Sequence, residues 1–284
     1  MRFAFAGIDM FGSVFETLLA GGWQPVKLFT RPCDGVLDFN DRVLALARHY
    51  RLPIQLSRIT RDDIALLANQ GCECLVVAGY PWLVKGWEGL VPYAFNVHPS
   101  PLPEGRGPYP LMRAILEGRR NWGVSAHVLA PTFDTGAIIA QETFPLSDLE
   151  THDSLLARCQ MGAGRIAGAI LRDLPGLWAG AAPQGVGSYW NRSTDADRVL
   201  DWSRGVDHVL RTVRAFGSIE TIARLSGSEV FVSAATGWHE AHDLPAGSLV
   251  HRYQRHITIA ASDGFVILTR WSSVSQSQAR EIGR

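Results

Sequence analysis

Three side chains in the middle of this sequence have the chemical types that acyl transfer requires. They are the amide of Asn96, the imidazole of His98 and the carboxylate of Asp134. Asn96 and His98 are separated by one residue, so at the end of a strand both would lie on one face of the sheet. Together the three groups supply an oxyanion donor, a proton shuttle and a group that orients the shuttle or accepts a proton. The pattern indicates acyl transfer to an amine.

Each residue also has an ordinary structural interpretation. An Asn or a His near a strand end is often a cap or a solvated side chain, and an Asp before Thr-Gly is often a turn former. The conjunction of all three side chains favours a functional site over these interpretations. Pro99, Pro101 and Pro103 cannot donate to a sheet, so they carry the chain away from the strand.

This region resembles the folate-dependent formyltransferases, which include methionyl-tRNA, glycinamide ribonucleotide and amino-sugar formyltransferases. The likeness rests on Asn96-x-His98-x-Ser100-x-Leu102-Pro103, on Arg106-Gly107 and Pro110, and on Asp134-Thr135-Gly136. It implies formyl transfer from 10-formyltetrahydrofolate to a primary amine, with Asn96, His98 and Asp134 at the positions of the catalytic triad. It also implies metal-free chemistry and a cofactor pocket formed by Tyr80, Pro81, Trp82, Leu83, Arg106 and Gly107.

Alternating strand and helix patterns predict a Rossmann-like α/β domain with a mainly parallel sheet over residues 1–185. The continuous apolar run at 74–79 is typical of a central parallel strand, and the loop that follows it lies where such sheets bind ligands. Strands are predicted at 2–6, 26–30, 53–56, 74–79, 95–98, 124–129 and 140–146, and helices at 11–20, 40–50, 62–70, 111–116 and 154–174.

Two other kinds of site are disfavoured in this domain. Gly7 and Gly12 do not have the spacing of a dinucleotide-binding or P-loop motif, so a tight strand-to-helix turn explains them. A zinc site made by His98, His127 and Asp134 is conceivable, but the sequence has no helical pair of histidines. We expect His127 to be a partly exposed strand residue rather than a second functional imidazole.

A change in composition near residues 183–190 predicts the start of a smaller domain, which we assign to residues 186–284. Short strands are predicted at 222–225, 230–234, 247–251, 256–260 and 265–271, after a helix at 206–215. The segments Asp201-Trp202-Ser203 and Arg214-Ala215-Phe216 resemble the C-terminal domain of methionyl-tRNA and aminoarabinose-pathway formyltransferases. That resemblance implies an open β-barrel of the oligonucleotide-binding type.

The composition describes an ordinary globular protein without a charge bias. The formal net charge is zero over 284 residues, and the hydrophobic fraction is 46%. No basic run supports a nucleic-acid surface, and no apolar stretch approaches the roughly 20 residues needed to span a bilayer. We therefore expect a cytoplasmic enzyme with no membrane association, for which a homodimer is allowed.

The acceptor is predicted from the segment after the second strand. The resemblance implies that tRNA-formylating enzymes carry a basic insertion there. In this chain the corresponding segment, Arg31–Asn40, contains Asp34 and Asp38 and no lysine. A small metabolite amine or hydroxylamine is therefore favoured, either on a nucleotide-linked amino sugar or on an ornithine-derived siderophore precursor, and nucleic acid is disfavoured. Two alternatives stay open, a methionyl-tRNA formyltransferase and a non-catalytic folate- or nucleotide-binding module.

Overall fold

A computed structural model describes residues 1–35, 38–225 and 227–275 of the chain. These residues divide into two compact units. The first contains Met1–Pro110, Asn121–Phe144 and Ala157–Trp190, and the second contains Leu111–Arg120, Pro145–Leu156 and the part of the chain from Asn191 onward. The predicted domain boundary between residues 185 and 186 stays a prediction. The last segment of the second predicted domain, 276–284, lies outside the described residues.

The first unit is organised around a seven-stranded sheet with the order β3-β2-β1-β4-β5-β6-β7. The pairs from β3 to β5 are parallel, and β6 is antiparallel to β5. This confirms the predicted mainly parallel α/β domain. The strands are β1 (Arg2–Gly7), β2 (Gln24–Phe29), β3 (Ile54–Gln55), β4 (Cys74–Ala78), β5 (Tyr93–His98), β6 (Asn121–Val128) and β7 (Ile138–Pro145).

Apolar strand residues and helices bury the central strands of this sheet. Every residue of β4 is buried, as the continuous apolar run predicts. Phe5 stacks on Phe15 with ring centroids 4.6 Å apart, which fixes the first helix against the sheet. The helices are α1 (Gly12–Ala20), α2 (Asp41–His49), α3 (Arg61–Asn69), α4 (Pro110–Leu116) and α5 (His152–Ala179), of which α4 and the start of α5 belong largely to the second unit.

The α5 helix extends beyond its predicted end at residue 174. Asp173 leaves the helical region, with φ −158° and ψ 67°, and its carboxylate accepts a hydrogen bond of 2.8 Å from the Gly176 N–H. Asp173 therefore caps a second helical segment, and Pro175 is tolerated because it lies in the first turn of that segment.

The second unit contains an antiparallel five-stranded sheet with the order β10-β11-β12-β9-β8. Its apolar face packs on the buried side of α6, including Val209 and Val213. The β-rich character predicted for this part of the chain is confirmed. Its elements are α6 (Val206–Phe216), β8 (Thr221–Leu225), β9 (Ser228–His239), β10 (Leu249–Tyr253), β11 (His256–Ala261) and β12 (Gly264–Ser272).

Among the described residues, none of the helices combines the length and the apolar character that crossing a membrane would need. The cytoplasmic location and the homodimer expected from the sequence stay predictions.

Candidate active site

The carboxyl ends of β4 and β5 lie side by side at one edge of the parallel sheet. Val77 of β4 is in register with Asn96 of β5, and Ala78 is in register with Val97. The loop that follows β4 therefore begins beside the polar end of β5. This is the edge at which open α/β sheets bind ligands.

Side chains from β6 hold the proline-rich loop that follows β5. Trp122 Nε1 donates to the Pro99 carbonyl at 2.8 Å, and the buried Ser125 hydroxyl donates to the Ser100 carbonyl at 2.7 Å. The loop contains prolines that cannot form a ladder, so its carbonyls need such side-chain donors when they are buried. The loop is fixed before it reaches the glycines at 105 and 107.

The structure brings Asn96, His98 and Asp134 together. Asp134 Oδ1 lies 3.4 Å from Asn96 Nδ2 and 3.5 Å from His98 Nδ1. The other oxygen of Asp134, Oδ2, accepts a hydrogen bond of 2.9 Å from the Gly107 N–H. One carboxylate thus connects the strand β5 to the loop after it. The catalytic roles of the three residues stay a prediction.

Asp134 reaches this position from a left-handed backbone conformation. Its φ is +58°, which is uncommon for a residue with a Cβ, although Asp and Asn tolerate it better than most. Gly136, two residues later, cannot carry a side chain, because an added Cβ would lie 1.8 Å from the Val128 carbonyl oxygen. The Asp-Thr-Gly sequence is therefore a structural requirement of the loop as well as a source of the carboxylate.

Burial and hydrogen bonding act in opposite directions on the two titratable groups. Burial lowers the pKa of His98, while Asp134 and the Gly105 carbonyl oppose that shift. Burial would raise the pKa of Asp134, but His98, the nearby His127 ring and the Gly107 N–H together lower it to about 2. Asp134 is therefore ionised at neutral pH.

The hydrogen bonds of His98 indicate what its protonated form can do. Nε2 lies 2.9 Å from the Gly105 carbonyl oxygen, and Nδ1 faces the Asp134 carboxylate. Both ring nitrogens thus face acceptors, so both contacts are hydrogen bonds only when the ring carries two protons. Burial disfavours that form, which leaves His98 able to release a proton readily.

His127 is a member of the cluster that the sequence analysis missed. The prediction of a partly exposed strand residue was wrong, because His127 is 2% exposed. Its Nδ1 lies 2.8 Å from the Val128 carbonyl, and its Nε2 lies 3.1 Å from Asn96 Nδ2. The first contact requires a proton on Nδ1, so in the neutral ring Nε2 accepts from the Asn96 amide.

Nε2 of His127 also lies 3.5 Å from Asp134 Oδ1, which would be a hydrogen bond only in the protonated ring. In a ring whose single proton is on Nδ1, the 3.1 Å contact to Asn96 is the hydrogen bond that Nε2 can form. The register Asn96↔His127 between β5 and β6 explains why the two side chains meet. The available sequence signal was a polar residue on each of two neighbouring strands.

The residues predicted to line the cofactor pocket occupy two places. Tyr80, Pro81, Trp82 and Leu83 follow β4 at the edge of the sheet that carries Asn96. The hydroxyl of Tyr80 donates to the Ser57 carbonyl at 3.0 Å, so this side chain anchors the loop.

Arg106 and Gly107 lie on the loop after β5. The guanidinium of Arg106 donates to Gln184 Oε1 at 2.8 and 3.0 Å. Gly107 uses its N–H on Asp134 and has φ +101°, and an added Cβ would lie 2.3 Å from the Trp190 carbonyl oxygen. Assignment of these six residues to a folate pocket stays a prediction.

The described residues contain no group of three or more His, Cys, Asp or Glu side chains arranged to hold a metal ion. The cluster contains an amide donor, an imidazole whose pKa is lowered by burial and an ionised carboxylate. Such a set can stabilise negative charge on a carbonyl oxygen and can accept a proton from an attacking amine.

Comparison with known proteins identifies both parts of the chain. A family model described as "Formyl transferase" matches residues 45–167, and one described as "Formyl transferase, C-terminal domain" matches residues 192–278. Methionyl-tRNA formyltransferase of Pseudothermotoga lettingae is 26% identical over 278 residues, 95% of this chain and 91% of that protein. The enzyme of the same name from Thiobacillus denitrificans is 28% identical over 284 residues, 94% of this chain and 90% of that protein.

Solved structures share the fold at lower identity. An N-formyltransferase from Helicobacter canadensis, solved with folinic acid and dTDP-3-aminofucose, has a TM-score of 0.71 at 16% identity, covering 95% of this chain and 99% of that chain. HypX from Aquifex aeolicus, solved with tetrahydrofolic acid, has a TM-score of 0.66 at 20% identity, covering 95% of this chain and 44% of that chain. With both domain models matched in order along its length, this chain belongs to the formyltransferase family.

Proposed function

We propose that this enzyme transfers a formyl group from 10-formyltetrahydrofolate to a primary amine or hydroxylamine of a small metabolite. The observation that carries the proposal is the meeting of Asn96, His98 and Asp134 at the carboxyl edge of the sheet, where Asn96 Nδ2 and His98 Nδ1 lie 3.4 and 3.5 Å from Asp134 Oδ1. A non-catalytic binding module on this fold would not require an ionised carboxylate beside a buried imidazole.

In the proposed reaction the acceptor nitrogen attacks the formyl carbon, and a new carbon–nitrogen bond forms as negative charge develops on the formyl oxygen. Asn96 and a protonated or hydrogen-bonding His98 stabilise that oxygen by donating hydrogen bonds, for which His98 exchanges its contact with the Gly105 carbonyl or with Asp134. The bond between the formyl carbon and folate N10 then breaks. The acceptor nitrogen loses a proton to the His98–Asp134 pair, and the pair gives a proton to N10, so the pair ends the cycle in its starting state.

The surroundings of Asn96 add a condition to this mechanism. Its Nδ2 lies 3.1 Å from His127 Nε2 and 3.4 Å from Asp134 Oδ1, so both amide hydrogens have acceptors within the protein. Donation to the formyl oxygen requires Asn96 to exchange one of these contacts. The longer contact, to Asp134, is the weaker of the two.

Folate as formyl donor is supported by what similar structures contain. The HypX structure holds tetrahydrofolic acid, and a sugar formyltransferase, WlaRD, was solved with 5-N-formyl-THF. In this chain we place the pteridine beside Tyr80, Pro81, Trp82 and Leu83, with Arg106 and Gly107 on the opposite loop. The aromatic and apolar side chains after β4 suit a flat ring, and backbone groups there can bond its polar edge.

A small acceptor is supported by the charge of the segment at 31–40. Arg31 is its cation, and the Arg31 guanidinium donates to the carboxylate of Asp38, which also accepts from the Tyr109 hydroxyl. A cation paired in this way offers little to a phosphate backbone. The H. canadensis neighbour contains a nucleotide-linked amino sugar, which is one acceptor class, and an ornithine-derived hydroxylamine is another.

Methionyl-tRNA is the second candidate acceptor. The sequence relatives that span over nine-tenths of this chain carry that activity in their names. In the second unit, Arg252, Arg255 and Arg270 are exposed, and the Arg252 guanidinium lies 6.0 Å from the Trp271 ring. Exposed arginines beside an aromatic ring can contact phosphates and bases.

Acceptor screening distinguishes the candidates. The purified enzyme is incubated with 10-formyltetrahydrofolate and a panel of amino sugars, hydroxyornithine derivatives and charged initiator tRNA, and products are followed by the mass increase of one formyl group. Modification of a small amine supports the proposal. Modification of tRNA alone, with binding that weakens steeply as salt rises, assigns the second candidate, and no turnover with any acceptor contradicts both.

A further inference from the structure

The segment at which the change in composition predicts a domain boundary packs on both loops of the active site. Ala182 exchanges two backbone hydrogen bonds with Ile138, of 2.8 and 2.9 Å, just after the Asp134 loop. Arg106 donates its N–H to the Ser188 carbonyl at 3.0 Å and accepts from the Trp190 N–H at 2.7 Å. We call residues 182–190 the bridging segment.

Gln184 lies between these two attachment points and connects the loops through its side chain. Its Nε2 donates to the carbonyl oxygens of Asp134 and Gly136, at 2.9 and 2.7 Å. Its Oε1 accepts two hydrogen bonds from the guanidinium of Arg106, at 2.8 and 3.0 Å. Carbonyls only accept and a guanidinium only donates, so the orientation of the amide is unambiguous.

These contacts close a ring around the catalytic carboxylate. From Asp134 the ring runs through its carbonyl to Gln184, through Arg106 to the neighbouring Gly107, and from the Gly107 N–H back to Asp134 Oδ2. The ring includes the residue whose φ is +58°. Hydrogen bonds on the carbonyls of Asp134 and Gly136 hold this uncommon backbone conformation in place.

We infer that Gln184 is a positioning residue for formyl transfer, which fixes the Asp134 carboxylate relative to His98 by tying the Asp134 loop to Arg106. This inference rests on the proposed function. It also gives Arg106 a structural role, because its Nε and Nη2 donate to Gln184 and its Nη2 donates to the Gly185 carbonyl at 3.1 Å.

The test uses two substitutions of similar size in the full chain. Gln184→Met removes all four hydrogen bonds, and Gln184→Glu keeps an acceptor for Arg106 but places an oxygen without hydrogens against two carbonyls. We expect kcat to fall about 10- to 100-fold in both, with KM for the folate changed less than about threefold, because a misplaced catalytic group slows the chemical step. Val186→Ala, in the same segment at a fully exposed position, is the matched control and should equal wild type.

Amide hydrogen exchange supplies a readout that does not require a formyl acceptor. The amides of Gly107 and Ile138 donate to Asp134 Oδ2 and to the Ala182 carbonyl, so both should exchange faster in Gln184→Met than in wild type or Val186→Ala. Unchanged exchange at Gly107 overturns the inference, whatever the activity. A loss expressed only in KM for the folate also overturns it, since that would make Gln184 a binding residue.

The two proposals fail in different ways. Faster exchange at Gly107 in the variant, together with a wild type that formylates no acceptor, contradicts the proposed function and supports the positioning role of Gln184. A wild type that transfers formyl, with a Gln184→Met variant of unchanged kcat, supports the proposed function and contradicts the positioning role of Gln184.

Discussion

Asn96 and Asp134 face each other in one site but are held there by different kinds of structure. Asn96 lies on β5, between β4 and β6, and its position follows from strand register with Val77 and His127. Asp134 lies on a loop, and its position depends on a left-handed backbone conformation and on contacts from Gly107 and Gln184. The strand side of the site is thus held by the main-chain hydrogen bonds of the sheet, while the loop side depends on a few contacts from residues elsewhere in the chain.

The strand side and the loop side of the site should therefore respond differently to amino-acid substitution. A residue in a ladder keeps its backbone position when one side-chain contact is lost, because several main-chain hydrogen bonds still hold it. A loop residue held by a few side-chain contacts moves when one of them is removed. Substitutions on the two sides should therefore differ in whether they alter chemistry alone or geometry as well.

The largest effect is expected from Asp134→Asn. Asn tolerates the left-handed conformation, so the loop is retained while the charge beside His98 is lost. We expect kcat to fall on the order of 1000-fold, because the group that orients the imidazole and accepts the proton is gone. Steady-state turnover measures the change, and an unchanged melting temperature shows that the fold is intact. Turnover within a few-fold of wild type would remove Asp134 from the mechanism.

On the strand side, His127→Leu should reduce kcat about 10- to 100-fold, since Asn96 loses the acceptor that orients its amide. His127→Gln retains an acceptor oxygen and should recover part of the rate. The comparison of the two variants separates orientation of Asn96 from loss of packing volume. Equal rates for the two would show that the hydrogen bond to Asn96 has no part in turnover.

Ser125→Ala tests whether the strand side also supports the proline-rich loop. The Ser125 hydroxyl accepts from the Leu102 N–H at 3.1 Å and from Gln141 Nε2 at 2.9 Å. Its removal leaves the buried Leu102 N–H without its acceptor and the Ser100 carbonyl without its donor, whereas Gln141 Nε2 keeps the Leu102 carbonyl at 2.8 Å. The loss should cost about 1–3 kcal/mol of unfolding free energy. Urea denaturation measures this loss. We expect kcat to fall less in Ser125→Ala than in His127→Leu. A larger fall in Ser125→Ala would contradict the comparison between the two sides of the site.

The smallest effect concerns pH and stability. Burial lowers the pKa of His98, so the folded protein binds a proton there less readily than the unfolded chain, whose histidine pKa is about 6.5. The contribution of His98 is therefore complete above about pH 6.5 and is lost as pH falls toward the lowered pKa, by at most about 1.4 kcal/mol per pH unit. Urea midpoints across this range should fall less in His98→Gln than in wild type. Parallel curves would assign the pH dependence to other groups.

The sequence predicted the strand side of the site well because its signals are local. Alternation placed Asn96 and His98 on one face, and the apolar run at 74–79 identified the central strand beside them. His127 was misjudged because its burial depends on pairing between β5 and β6, which a single strand pattern does not specify. Register across strands is a long-range property.

The loop side was predictable only in part. Gly136 and Asp134 indicated a turn, but the turn is held by a residue fifty positions later in the chain. Gln184 lies in a stretch rich in glycine and proline, and that composition predicted a domain boundary. A glutamine without periodic neighbours carries no local signal of the two loops it connects, since those contacts form only when the fold brings them together.

The most direct test of the account is formyl transfer by purified His98→Ala, measured with 10-formyltetrahydrofolate and the acceptor that the wild type accepts. The geometry predicts a folded protein whose rate is reduced on the order of 100- to 1000-fold, because in the proposed mechanism His98 donates to the developing oxyanion and, with Asp134, takes the proton that the acceptor nitrogen loses. A His98→Ala enzyme that transfers formyl at the wild-type rate would contradict the assignment of this cluster as the active site.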